Sequence, residues 1–166
     1  MTTAAAAERV SVVTESLTAS GQARVGAPAP WLAGWTLDDK VWNLRKAFAD
    51  TMTDRVALVF FATWCAPCRE GIRQLAARAA DLRAARVSVV LVNYQEDAPR
   101  VRGFLDGPPA FPVVVDRFGA CETAYLRSGD DQVRLPRTVV VGRDLAVRAI
   151  YGAEGPDYVD RIIGGR

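Results

Sequence analysis

The chain has 166 residues, 50% apolar and 24% charged, a length and composition that suit one domain with a full core. Its net charge of +2, with no basic run interleaved with aromatics, argues against a nucleic-acid partner. Histidine is absent, which excludes Cys–His and Ser–His nucleophile pairs, His–metal sites and imidazole acid–base chemistry.

Residues 1–25 read as an N-terminal arm, flexible or one docking helix, ahead of a domain over 26–166. The arm lacks the basic start and unbroken apolar core of a signal peptide, and no apolar stretch is long enough to span a membrane, so by sequence the chain reads as soluble and cytoplasmic. Gly26, Pro28 and Pro30 mark an extended lead-in. "WTLDDKVWNL" predicts a hairpin turning at Asp38-Asp39-Lys40, with Trp31, Trp35 and Trp42 packing it onto the sheet, and "RKAFAD" a short helix. "RVALVFFA" (55–62) is a continuous apolar run, as expected of a central strand buried on both faces. Strong helix formers follow over 66–85, with Ile72, Leu75, Ala79 and Leu82 at helical spacing.

"VSVVLVNY" (87–94) predicts a second buried strand, "APRVRGFLDG" a short helix stopped at Gly107-Pro108-Pro109, "FPVVVD" a short strand and "GACETAYLRSG" a helix. "RTVVVGRDLAVRAIYG" predicts a hairpin turning at Gly142-Arg143-Asp144, and "GPDYVDRIIGG" a closing helix opened by Pro156 and stopped by glycine. This order implies an α/β domain: a mixed central sheet with helices on both faces, preceded by an N-terminal β-hairpin.

The cysteines are Cys65, Cys68 and Cys121. An odd, low count does not suit a disulfide-stapled mini-domain, and structural zinc wants four Cys or His ligands, so no metal or other cofactor is expected. The pair in "ATWCAPC" falls where a buried strand meets a helix. There the unpaired N–H groups and partial positive charge of the first turn favour a thiolate. Cys65, just before the helix, is expected to be the exposed nucleophile. Cys68, one turn later on the same face, can close a small disulfide ring with it. Ala66 and Pro67 set the turn, proline fitting an early helix position that needs no N–H. The blander reading is two cysteines that merely pack.

"ATWCAPC" resembles the active site of the thioredoxin superfamily. "VGAPAPWLAGWTLDDKVWNL", "VNYQED" and "LPRTVVVGRDLAVRAIYG" resemble the opening segment, glutamate segment and proline loop of its TlpA- and ResA-like thiol-disulfide oxidoreductases, a likeness over roughly residues 25–166. The resemblance implies that Cys65 and Cys68 are the redox pair and Trp64 the tryptophan before it. It implies that Pro136 is the cis-proline beside the disulfide and that the Leu135 backbone pairs with an extended substrate segment. Trp64, Ala66, Pro67, Leu135 and Pro136 would then form the substrate-binding rim. From the residues alone, Pro136 is an ordinary loop proline.

Thioredoxin's buried aspartate falls at Val59 here, so the strand offers no carboxylate. Glu96 matches the family's glutamate, which implies proton exchange with Cys68; on its residues alone it reads equally as a solvated loop carboxylate. Arg69 and Arg137 flank the site, and either could favour the Cys65 thiolate. The residue after the family's cis-proline is often neutral, so Arg137 departs from the pattern and reads as a solvated strand-end arginine. Cys121 reads as a buried, inert thiol.

The resemblance implies exchange with protein disulfides, in the reducing direction, fed by an upstream dithiol protein, in a monomer working outside the cytoplasm. A peroxiredoxin would share the fold, but its Pro-x-x-x-Thr-x-x-Cys pattern fails at Leu58 and Ala62. A binding or chaperone-like module whose cysteines do not cycle, and a general thioredoxin substitute, are the other readings.

Overall fold

A computed structural model describes residues 21–152 and 155–165, so the expected arm lies outside the described residues except at 21–25. The apolar run forms β3 (Arg55–Phe61), with Val56 to Phe61 all buried. β4 (Val87–Tyr94) lies parallel to it on one side and β6 (Arg137–Gly142) antiparallel on the other. β5 (Val113–Asp116) continues the parallel block beside β4. Two hairpins close the edges: β1 (Ala33–Thr36) with β2 (Val41–Asn43), and β6 with β7 (Val147–Tyr151). The seven strands run in the order β2-β1-β5-β4-β3-β6-β7. The first hairpin turns where the sequence places it, with Asp39 taking a left-handed conformation that aspartate tolerates better than most residues.

Alternate residues of β3 serve two cores, because side chains along a strand point to opposite faces. Ala57, Val59 and Phe61 pack with both cysteines of the pair and with the four α-helices. These are α1 (Ala66–Ala77), α2 (Ala79–Ala84), α3 (Ala98–Leu105) and α4 (Tyr158–Gly164). Val56, Leu58 and Phe60 pack instead with Leu32, Trp42, Tyr125 and Leu126. That second face is covered by a 3-10 turn (Leu44–Phe48), a π-helical turn (Glu122–Leu126) and the lead-in. Helical segments therefore cover both faces, unequally.

Three local expectations change. The helix expected over 66–85 is two, broken at Arg78, whose N–H turns back to the Leu75 and Ala76 carbonyls while its guanidinium bridges Asp81 and Asp160. The helix expected in "GACETAYLRSG" is confined to residues 120–126 and winds as a π turn over Glu122–Leu126, while the buried Asp116 carboxylate caps the Ala120 and Cys121 N–H groups and ties its start to the end of β5. Trp42 is buried against the sheet as expected, but Trp31 is 47% exposed. The lead-in over residues 23–29 turns at Val25–Gly26 and is tied to the last hairpin: the Gly26 N–H donates to the Val147 carbonyl, Val147 N–H to Ala27, and Ala29 N–H to Leu145. No helix among the described residues is long and apolar enough to cross a membrane.

This topology places the site. β3, β4 and β5 are parallel, so their C-terminal ends open on one edge, where the loops after Phe61, Tyr94 and Asp116 emerge. β6 runs the other way and begins there, directly after Pro136. Open α/β sheets hold their sites at such an edge.

Leu75 on α1 is fully buried between the two cysteines' helix and the sheet. Leu75→Ala is expected to cost about 2–5 kcal/mol in urea unfolding of the disulfide form, the range for a buried leucine whose space cannot collapse. Ala76→Ser, on the exposed side of the same helix, should cost under about 1 kcal/mol.

Candidate active site

Cys65 is the N-cap of α1. Its backbone is extended, and its Sγ accepts a hydrogen bond from the Cys68 N–H at 3.3 Å. Ala66 and Pro67 form the first turn, and Pro67 leaves no N–H orphaned. The two sulfurs are joined as a disulfide, with the Cα atoms 5.3 Å apart. Trp64 (67% exposed), Ala66 and Pro67 occupy the surface above it. The expectation of an exposed Cys65 needs correction for this state: Cys65 is 5% exposed and Cys68 2%, because the linked sulfurs face the core beneath that rim.

The Leu135–Pro136 peptide bond is cis. Leu135 packs against the same apolar cluster as both cysteines, so the proline loop and the cysteine loop adjoin across the end of β3.

Glu96 is buried rather than solvated. Its carboxylate accepts three hydrogen bonds: the Thr63 N–H at 2.7 Å, the Thr63 hydroxyl at 2.5 Å and the Asn93 side-chain amide at 2.8 Å. The Glu96 N–H returns a bond to the Asn93 side-chain oxygen at 3.2 Å. Glu96 thereby clamps the end of β4 to Thr63, two residues before Cys65. Among the described residues its hydrogen bonds go to Thr63 and Asn93, not to a cysteine sulfur. Val59 sits in the apolar cluster with the pair, so the strand beneath contributes no carboxylate.

Sequence reasoning overlooked Thr63 and Asn93. The signal was available: Asn93 is a lone amide at the end of an otherwise apolar buried strand, where a polar side chain needs a partner. The flanking arginines behave differently from expectation. Arg69 is turned away from the pair, with its guanidinium 4.1 Å above the Phe104 ring and donating to the Phe104 carbonyl at 3.1 Å. That contact holds α3 against α1. Arg137 is half-buried, not solvated, and its Nε is sealed from solvent without an acceptor. Among the described residues no three His, Cys, Asp or Glu side chains come together as a metal site.

Cys121 lies 1% exposed on the second face. Burial, then the neighbouring Asp116 carboxylate, push its thiol pKa far above the ordinary range. In the reduced native protein a thiol reagent should therefore modify Cys65 and Cys68 and reach Cys121 only on unfolding. The sign of the pH dependence follows. The unfolded thiol ionises near about 8.5 while the folded one stays protonated. Stability is thus retained below that pH and lost as pH rises above it, by up to about 1.4 kcal/mol per pH unit. Urea unfolding of the disulfide form between about pH 8.5 and 9.5 should show this slope in wild type and not in Cys121→Ala.

Comparison with known proteins agrees with this geometry. A Chlorobium tepidum protein described as thiol:disulfide interchange protein DsbE is 23% identical, with a TM-score of 0.69 over 87% of this chain and 99% of that one. The peroxidoxin BcpB of Mycobacterium tuberculosis is 16% identical, also at 0.69, over 87% of this chain and 96% of its own. The thioredoxin domain of a Bacteroides vulgatus thiol-disulfide oxidoreductase is 15% identical at 0.66, over 84% and 95%. At these identities the likeness speaks to the thioredoxin-like fold. No protein of curated function matches significantly. The family model described as Redoxin matches residues 24–160, which covers the lead-in, every strand, the cysteine pair and the proline loop. The chain belongs to the Redoxin family, with the thioredoxin-like fold.

Proposed function

We propose that this protein is a thiol-disulfide oxidoreductase that reduces disulfides in protein substrates through Cys65 and Cys68 and is itself re-reduced by an upstream dithiol protein. The observation that carries the reading is Cys65 Sγ at the N-cap of α1, receiving the Cys68 N–H. The same donor and the helix's partial positive end would stabilise a Cys65 thiolate in the reduced form.

The cycle balances as a two-electron transfer. The Cys65 thiolate attacks one sulfur of the substrate disulfide; that S–S bond breaks, a mixed disulfide forms and the first substrate thiolate takes a proton. Cys68 then gives up its proton and attacks Cys65 Sγ, the second substrate thiolate leaves and is protonated, and the Cys65–Cys68 disulfide remains. Trp64, Ala66 and Pro67 on one side and Leu135 and Pro136 on the other form the rim against which the substrate segment lies, pairing with the Leu135 backbone. Glu96 is the proton acceptor for Cys68 at the resolving step. Its clamp on Thr63 places it at the base of the cysteine loop. The cycle calls for no metal or organic cofactor, and the reading is of a monomer.

Trapping tests this. Reduced Cys68→Ser, mixed with a disulfide-bonded peptide, should accumulate a mixed disulfide that mass spectrometry maps to Cys65; Cys65→Ser should accumulate none. A peptide held equally by either variant contradicts the assignment. Glu96→Gln should slow exchange and shift the pH profile of the resolving step, and an unchanged profile removes Glu96 from the mechanism. Rapid Cys65-dependent peroxide consumption would favour a peroxiredoxin instead, against the failed pattern at Leu58 and Ala62.

A further inference from the structure

Among the described residues, each partly buried arginine has a partner except one. Arg55 donates to the Ile162 and Ile163 carbonyls at the end of α4, and Arg78, Arg86, Arg127 and Arg161 each meet an aspartate or glutamate. Among the described residues the Arg137 guanidinium has no hydrogen bond, ion pair or ring contact, and its Nε is buried without an acceptor. A sealed donor on a charged group is costly, and such an orphan calls for an explanation. Burial, and then the like charge of Arg134, work against the Arg137 cation, and Arg134 is itself paired with Asp130.

The position of Arg137 supplies the explanation. It follows Pro136 directly and pairs with Phe60 near the end of β3, so it stands on the redox edge of the sheet. Residues opposite each other in an antiparallel pair share a face. Arg137 therefore lies on the side of Phe60 and Val139, away from α1, while Thr138 points to the helix side and shares a 2.6 Å hydrogen bond with Tyr158. On that side it cannot touch a Cys65 thiolate. It can reach a substrate. A segment paired with Leu135 directs its cysteine to the helix side, toward Cys65. The residues immediately before and after that cysteine then project to the opposite side, where Arg137 is.

We propose that Arg137 is a carboxylate-binding subsite for the protein substrate, selecting segments with aspartate or glutamate directly beside the reactive cysteine. A guanidinium presents two parallel donors to a carboxylate, and a neutral amide cannot match that charge-assisted pair. This subsite rests on the exchange reading above.

The test uses the full chain in its disulfide form and two redox-inert peptides, each with serine in place of the reactive cysteine, flanked on both sides by glutamate or by glutamine. The Arg137 Nε–H NMR resonance, assigned by its loss in Arg137→Gln, is followed during titration. The glutamate peptide should bind about fivefold tighter or more and shift that resonance. Arg137→Gln should bind both peptides alike, and Arg137→Lys should retain part of the preference. Equal binding of the two peptides by wild type, no binding of either, or a preference that survives in Arg137→Gln overturns the subsite. Turnover of the corresponding disulfide peptides separates the two claims. Glutamate preference without exchange faults the redox reading alone, and exchange without preference faults Arg137 alone.

Discussion

The structure turns on one local arrangement: a cysteine at the N-cap of a helix that starts where a fully buried strand ends. β3 needs apolar residues on both faces, which places it inside the sheet between β4 and β6 and gives its C-terminal end a fixed place. α1 must fold back over that face to bury Leu75, so its first turn, with N–H groups free of helical partners, stands directly above the sheet edge. Cys65 supplies a sulfur to that turn, and Cys68, three residues on, brings the second within bonding distance.

Around this arrangement the remaining polar groups divide by face. On the cysteine loop, Glu96 and Asn93 tie the end of β4 to Thr63, so the loop preceding the pair is held by buried hydrogen bonds as well as by packing. Arg69, next to Cys68, is used up in holding α3. On the far face, the Asp116 carboxylate accepts the Cys121 N–H and closes the end of β5. What remains unspent among the described residues is the Arg137 guanidinium, which gives the site a candidate for recognising something outside the fold.

Much of this was legible in the residues. The continuous apolar runs of β3 and β4, the glycine and proline punctuation and the two hairpin turns sufficed for a mixed sheet and the chain order of its elements, because they report local constraints. The cysteine pair was readable for the same reason, whereas the proline loop was read only through the family resemblance. Long-range contacts were not readable. Nothing local in "AARAADL" marks the break at Arg78, which is accompanied by an ion pair to Asp160 on a helix far along the chain. The cap of the "GACETAYL" helix is a carboxylate supplied by the preceding strand. Whether Glu96 and Arg137 are solvated depends on what the fold packs over them: Glu96, open to either reading in sequence, proved buried, and Arg137, read as solvated, proved half-buried.

The most direct test of the account is the reduction potential of the Cys65–Cys68 couple, measured in a Cys121→Ser background by equilibration in dithiothreitol and glutathione buffers. The account predicts a reversible two-electron titration with a midpoint near about −270 mV, the thioredoxin end of the range, as a reductant fed by an upstream dithiol requires. A midpoint near about −120 mV, the DsbA end, would reverse the direction of electron flow, and a pair that does not titrate reversibly would remove the redox cycle itself.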